Sequence, residues 1–153
     1  MTPLVSIGIR TYNGEKFLRD CLESLRAQTR PSPILISTST AWPGLEALAN
    51  DYGARLEIHS PNAGIGRDWN AGLAKANSTW VTLAHQDDRY LPTFTERTLS
   101  VAARHPDTVL VMTGYIQETP GSSQDRRNAV WFSPDRGLTW DGPHYVDAEG
   151  EDA

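Results

Sequence analysis

A short β-like run followed by an amphipathic helical run, four times in succession, limits what this chain can fold into more than any other feature. Leu4 to Ile9, Ile34 to Ser37, Leu56 to His59 and Trp80 to Ala84 are short and apolar, and read as strands. Apolar residues then recur at helical spacing after each of them. The first set is Phe17, Leu18, Cys21, Leu22 and Leu25, and the second is Leu45, Leu48, Ala49 and Tyr52. The third runs through Trp69, Leu73 and Ala76, and the fourth through Leu99, Val101, Ala102 and Ala103. Local signals agree: Asn13 suits a first N-cap, Gly53 a second C-terminal stop, and Thr93 with Glu96 a capping box. A fifth strand is expected over Thr108 to Ile116. The pattern predicts an α/β fold in which all five strands share one mainly parallel sheet, with helices on both faces. Ligands of such sheets sit beyond the carboxyl ends of the strands. The turn at Tyr12, the run Ser37-Thr38-Ser39-Thr40, the glycine loop Pro61 to Gly66 and the pair Asp87-Asp88 all fall at those ends.

Charge and cysteine content exclude several function classes. Of 19 acids, five fall at or after Asp141 with no Lys or Arg among them, so the body of the chain is balanced at 14 of each sign. It offers no excess of positive charge for nucleic acid. The segment Val146 to Ala153 reads as a solvated, frayed tail. No apolar run approaches the roughly 20 residues that cross a bilayer, and Met1 to Ile9 lacks the basic and long apolar parts of a signal peptide. Cys21 is the single cysteine, so no internal disulfide is possible; its place on a helical stripe makes it core rather than nucleophile.

The chemistry is concentrated in Trp80-Val81-Thr82-Leu83-Ala84-His85-Gln86-Asp87-Asp88-Arg89, an apolar run ending in adjacent carboxylates, with Pro92 soon after. Adjacent carboxylates repel, so they need a cation, a basic partner or free solvent. Oxygen ligands beside a phosphate are how Mg²⁺ or Mn²⁺ is usually held; a solvated strand-end turn is the plainer alternative. Gly64 and Gly66 do not complete a dinucleotide fingerprint, because the third glycine would fall on Trp69. A glycine loop opening a helix can still offer N–H groups to a phosphate, with Arg67 adding charge. His59, His85, His105 and His144 show no zinc spacing, and neither a Gly-x-Ser-x-Gly elbow nor a Walker A loop occurs.

The order of these pieces resembles family 2 glycosyltransferases. Val5-Ser6-Ile7-Gly8-Ile9-Arg10-Thr11-Tyr12-Asn13-Gly14 matches the family's opening, followed by Phe17-Leu18, Cys21-Leu22, Ser24-Leu25 and Gln28-Thr29. Asn62-Ala63-Gly64-Ile65-Gly66, with Asn70, Gly72-Leu73 and Ala76, precedes the acids as it does in the family. His85-Gln86-Asp87-Asp88 looks like a variant of the DxD motif. The resemblance covers about residues 4–116 and implies a GT-A fold, an α/β/α sandwich that binds a nucleotide-diphospho-sugar with Mn²⁺ or Mg²⁺. It implies that Tyr12 packs near the nucleobase with Arg10, Thr11 and Thr38 close by. Arg67 would lie near the donor phosphates, Asp87 would ligate the metal, and Asp88 would stand near the donor sugar. Inverting transfer to an acceptor hydroxyl follows by the same resemblance, with a glycan or lipid-linked acceptor. So does a cytoplasmic location, with peripheral contact at the inner face of the membrane through that acceptor.

Three positions depart from the family pattern. Ser37-Thr38-Ser39-Thr40 stands where the family carries an acid, His85 replaces the first acid of DxD, and no segment matches the one that supplies the catalytic base. These favour an alternative, a degenerate non-catalytic binding or interaction domain of the same fold. Separately, Ser133-Pro134-Asp135-Arg136-Gly137-Leu138-Thr139-Trp140 resembles a single Asp-box hairpin of sialidase-type propellers, which leaves a fragment of a carbohydrate-recognising Asp-box protein as a second alternative. The resulting organisation is a partial GT-A domain over 1–118, a polar loop over 119–128, a C-terminal β-hairpin over 129–141 and an acidic tail over 142–153.

Overall fold

The computed structural model describes residues 4–8, 15–59, 64–113, 128–133 and 141–146. They fall into two compact units, 1–96 and 97–153.

The first unit is built on four parallel strands. β1 (Leu4–Gly8), β2 (Ile34–Thr38), β3 (Arg55–Ile58) and β4 (Val81–Ala84) lie in the order β3-β2-β1-β4. Gly8 is opposite Ser37, Ile7 opposite Ala84, and Thr38 opposite Ile58, so all four carboxyl ends lie along one edge. β2 is buried throughout, as a central strand covered on both faces must be.

Helices α1 (Glu15–Arg26) and α2 (Leu45–Asp51) supply the main core. Leu18, Cys21, Leu22 and Leu25 from α1 meet Leu45, Leu48 and Ala49 from α2 over Ile34, Ile36 and Ala84 of the sheet. Helix α3 (Ile65–Lys75) packs on β1 and β2. It covers the opposite face, where the intervening residue Ser37 bonds to Asp68. α2 ends at Gly53 as its sequence indicates: Gly53 takes φ +63°, Ala54 N–H donates to Ala49 O, and Gly53 N–H donates to Asn50 O. Those are the two bonds of a Schellman stop.

Three local expectations need correction. Phe17 is 53% exposed and Leu73 is 41% exposed, so neither lies on the buried stripe assigned to it. The buried face of α3 runs instead through Asp68 and Gly72. At the start of α4 (Phe94–Arg104), Thr95 N–H is taken by Gln28 Oε1, and the Glu96 carboxylate accepts from the Thr29 hydroxyl. A long-range partner thus takes the Glu96 carboxylate that a local capping box would turn back on Thr93 N–H. The Asn13 cap lies outside the described residues.

The second unit holds the remainder of α4 and a separate antiparallel sheet, β5 (Leu110–Thr113), β6 (Asn128–Ser133) and β7 (Asp141–Val146), in that order. The expected membership of Thr108–Ile116 in the parallel sheet is therefore wrong. An apolar run specifies a strand but not its partner. Here β5 pairs with β6, the next strand in the chain, which an antiparallel meander permits without a helical crossover. β6 and β7 pair with an irregularity between Val130 and Phe132. β7 occupies 141–146, most of which the sequence reading gave to an acidic tail. The turn of the Asp-box lies outside the described residues.

Candidate functional site

The edge formed by the four strand ends carries two clusters, joined through the start of α3. At the first, Ser37 and Thr38 close β2, His59 follows β3, and Asp68 comes from the first turn of α3. Ser37, Thr38 and Asp68 are fully buried. The Ser37 hydroxyl donates to the Asp68 carbonyl oxygen at 2.9 Å, which uses its only proton. Its 3.3 Å contact with His59 Nε2 is therefore an N–H donated to Oγ. The same nitrogen lies 3.3 Å from Asp68 Oδ1, yet neither carboxylate oxygen accepts an aligned hydrogen bond. Serine and aspartate thus share one imidazole nitrogen, whereas a nucleophilic triad needs them on opposite nitrogens. The cluster is an anchor, not a hydrolytic site. Thr38 Oγ1 accepts from Thr40 N–H at 3.0 Å, and Thr38 O accepts from His59 N–H at 2.9 Å. The uncharged run after β2 therefore folds into its own turn.

The second cluster follows β4. His85 to Asp88 form a turn in which Asp88 N–H donates to His85 O at 3.3 Å. Asp87 and Asp88 are exposed. Partial burial raises the Asp88 carboxyl above its ordinary value; the His85 imidazole opposes this and Asp87 adds to it. The turn rests on α1: Cys21 Sγ–H donates to His85 O at 3.3 Å, and Tyr90 N–H donates to Ser24 Oγ at 3.1 Å. Burial, with Asp88 and Asp87 nearby, pushes the Cys21 thiol up to about 12, so it is a neutral donor and no nucleophile. The half-buried Tyr90 phenol is likewise raised, chiefly by burial, while its hydrogen bond to the His85 backbone pulls the other way. Trp69 meets the His85 ring edge-on, with centroids 4.9 Å apart at 88°. Asp68 and Trp69, adjacent on α3, therefore reach the two clusters separately.

Gly64 opens α3 at φ +83° and ψ 166°, a region nearly exclusive to glycine. Arg67, exposed, sits one turn in, with its N–H on Gly64 O. Of the residues expected at the site, Thr38, Arg67, Asp87 and Asp88 lie on the strand-end edge or the turns that follow it, while Arg10, Thr11 and Tyr12 lie outside the described residues.

A family model described as Glycosyl transferase family 2 matches residues 6–147. The chain belongs to glycosyl transferase family 2. It is 31% identical over 130 residues to a Bacillus subtilis protein named as glycosyltransferase EpsH, covering 81% of this chain and 38% of that one. It is 32% identical over 115 residues to the amylovoran biosynthesis glycosyltransferase AmsE of Erwinia amylovora, covering 70% of this chain and 43% of the relative. The chain thus spans about two fifths of the length of these relatives. Among solved structures it resembles residues 1–349 of S. aureus TarS, with a TM-score of 0.68, 19% identity, and coverage of 82% of this chain and 39% of that one. TarS structures in complex with UDP and with UDP-GlcNAc match at 0.68 and 0.66. The fold is accordingly of the GT-A type.

Among the described residues no group of three or more His, Cys, Asp or Glu is placed to hold a metal ion. Two adjacent carboxylates nonetheless suit an ion that takes most of its ligands from substrate phosphates and water, as Mg²⁺ does. Asp68, His59 and the α1 contacts were missed by the sequence reading. The one signal for Asp68 was its place four residues before Gly72 and eight before Ala76, on a small-residue stripe.

Proposed function

We propose that this chain is the donor-binding part of a glycosyltransferase that takes a nucleotide-diphospho-sugar together with Mn²⁺ or Mg²⁺. One observation carries the reading: the glycine-opened start of α3 and the Asp87–Asp88 turn stand on the same carboxyl edge of a parallel sheet, in a family 2 chain. The TarS complexes with UDP and UDP-GlcNAc support a sugar-nucleotide ligand. Arg10, Thr11 and Tyr12 would line the base and ribose, with Thr38 shaping the turn beside them. Arg67 would face the phosphates, Asp87 would hold the metal, and Asp88 would approach the donor sugar. A divalent ion bound there would neutralise the diphosphate as it leaves. An acceptor hydroxyl would attack the anomeric carbon from the opposite side, inverting it and losing its proton to a carboxylate base. We assign that base to no residue of this chain. The first unit, 1–96, is taken as the donor-binding domain, since it holds the parallel sheet and both strand-end clusters, while β5, β6 and β7 form a separate sheet. The acceptor would be a glycan or lipid-linked glycan, met in the cytoplasm at the inner membrane face. Among the described residues no helix is long and apolar enough to cross a membrane.

The second reading is a binding or interaction domain that has lost catalysis. His85 in the place of the first acid, and the uncharged, buried Ser37 and Thr38, favour it. Calorimetric titration of UDP, with and without Mn²⁺, tests the first reading. Metal-dependent binding that Asp87→Ala abolishes is expected, and equal binding by Asp87→Ala sinks it. Sugar transfer to an acceptor then separates enzyme from binder.

A further inference from the structure

Three polar side chains of the α1 region, Cys21, Ser24 and Gln28, hold the segment that follows β4. Cys21 and Ser24 lie three residues apart on one side of the helix, and Gln28 stands just past its end. Cys21 donates to His85 O. Ser24 Oγ donates to Cys21 O at 2.7 Å and accepts from Tyr90 N–H at 3.1 Å, so its proton and a lone pair are both committed. Gln28 is 5% exposed. Its amide donates to Ser24 O at 3.0 Å and to Leu91 O at 2.8 Å, while its carbonyl accepts from Thr95 N–H at 2.9 Å. Thr29 N–H completes the series on Pro92 O at 2.8 Å. The groups held in this way, His85 O, Tyr90 N–H, Leu91 O, Pro92 O and Thr95 N–H, are all backbone, so what these residues fix is the path of the chain. Each choice is also chemically narrow. Position 28 needs two donors and an acceptor at one length, and glutamate of the same length has no donor once ionised.

We infer that Cys21, Ser24 and Gln28 are positioning residues for the Asp87–Asp88 turn. They touch no ligand themselves. They set where the two carboxylates stand relative to the glycine-opened helix across the sheet edge. The two exposed acids repel each other, and a long Asp88 N–H to His85 O hydrogen bond, 3.3 Å, closes their turn. Without the ladder the turn would spread, moving Asp87 from the place of a bound cation and Asp88 from that of the donor sugar. The functional half of this inference rests on the nucleotide-sugar reading; the structural half does not.

The test uses Ser24→Ala, Ser24→Thr and Gln28→Met in the full chain, with two readouts. Amide hydrogen exchange is followed at Asp88 and Tyr90 against β1 and β2. Ser24→Ala and Gln28→Met should speed exchange at Asp88 and Tyr90 while the central strands stay slow, and Ser24→Thr, which keeps the hydroxyl, should restore protection. Unchanged exchange at Asp88 in both disrupting variants overturns the inference, whatever the nucleotide does. Calorimetry with UDP then asks whether the increment in affinity due to Mn²⁺ falls, by about 10- to 100-fold as for other residues that orient metal ligands, with metal-free binding unchanged. A wild type with no Mn²⁺ increment overturns the nucleotide-sugar reading and leaves exchange to decide the positioning role. An equal loss with and without Mn²⁺, tracking lowered melting temperature, shows general destabilisation and overturns the positioning role.

Discussion

His59 Nε2 lies 3.3 Å from Asp68 Oδ1, and the Asp68 side chain is only 1% exposed. Among the described residues, the His59 imidazole, just past β3, is the polar side chain beside this buried carboxyl group. The first turn of α3 is thus tied to the strand ends by polar contacts, which leaves Leu73, one turn further along, free to face solvent. Asp68→Asn and His59→Gln, measured singly and together by urea unfolding, should show a coupling energy of about 1–3 kcal/mol. Additive losses would mean that the two side chains act independently and that the tie is made by Ser37 alone.

The Cys21 thiol, raised to about 12, should resist alkylation in the folded chain. At pH 8 the thiolate fraction is small and the sulfur is buried, so iodoacetamide labelling should follow global unfolding as urea is added. Cys21→Ser keeps a donor for His85 O, whereas Cys21→Ala loses it and should be the less stable of the two by about 1 kcal/mol. Rapid labelling of the native protein would show that the helix face at Cys21 opens far more readily than its packing indicates.

Much of this architecture is legible in the sequence because two periodicities suffice for it. The runs at Leu4, Ile34, Leu56 and Trp80 become β1 to β4, and Cys21, Leu22, Leu45 and Leu48 are core. What was not legible depends on partners. The run at Thr108 could not announce that it would pair with β6, and Asp68 could not announce that a half-buried histidine nine positions earlier would stand beside it. Thr93 and Glu96 have the spacing of a capping box, but Gln28 and Thr29, just past α1, reach the same turn and take Thr95 N–H and the Glu96 carboxylate. The acid pair was visible as a motif, whereas the ladder beneath it was hidden in positions that read as an ordinary helix.

Asp88 gives a pH prediction with a definite sign. Its folded value is raised, chiefly by desolvation and then by Asp87, against the pull of His85. Ionised Asp88 therefore opposes folding above that raised value, and the penalty disappears as pH falls through it toward the range of the unfolded chain. Asp88→Asn should be the more stable protein at pH 7, by about 0.5 kcal/mol or less for so exposed a group. The two should converge below about pH 3, where an ordinary aspartate is protonated in both states. A gap of the same size at both pH values would assign the effect to packing of the amide rather than to charge.

His85→Asp tests the acid turn in the opposite direction, by adding charge instead of removing it. In the wild type the imidazole favours ionised Asp88 and lies edge-on to Trp69 at 4.9 Å. The change removes both contacts and places a third carboxylate beside two that already repel. Without a divalent ion the variant should therefore melt at a lower temperature than the wild type. With millimolar Mn²⁺ the order should reverse, because an added hard oxygen donor tightens binding several-fold and a ligand of the folded state alone stabilises it in proportion to ln(1 + [L]/Kd). General damage to the fold predicts a low melting temperature under both conditions, so the two explanations separate on the sign of one difference. If Mn²⁺ raises the melting temperature of neither protein, Asp87 and Asp88 form a solvated turn, and the metal-dependent reading of this edge is wrong.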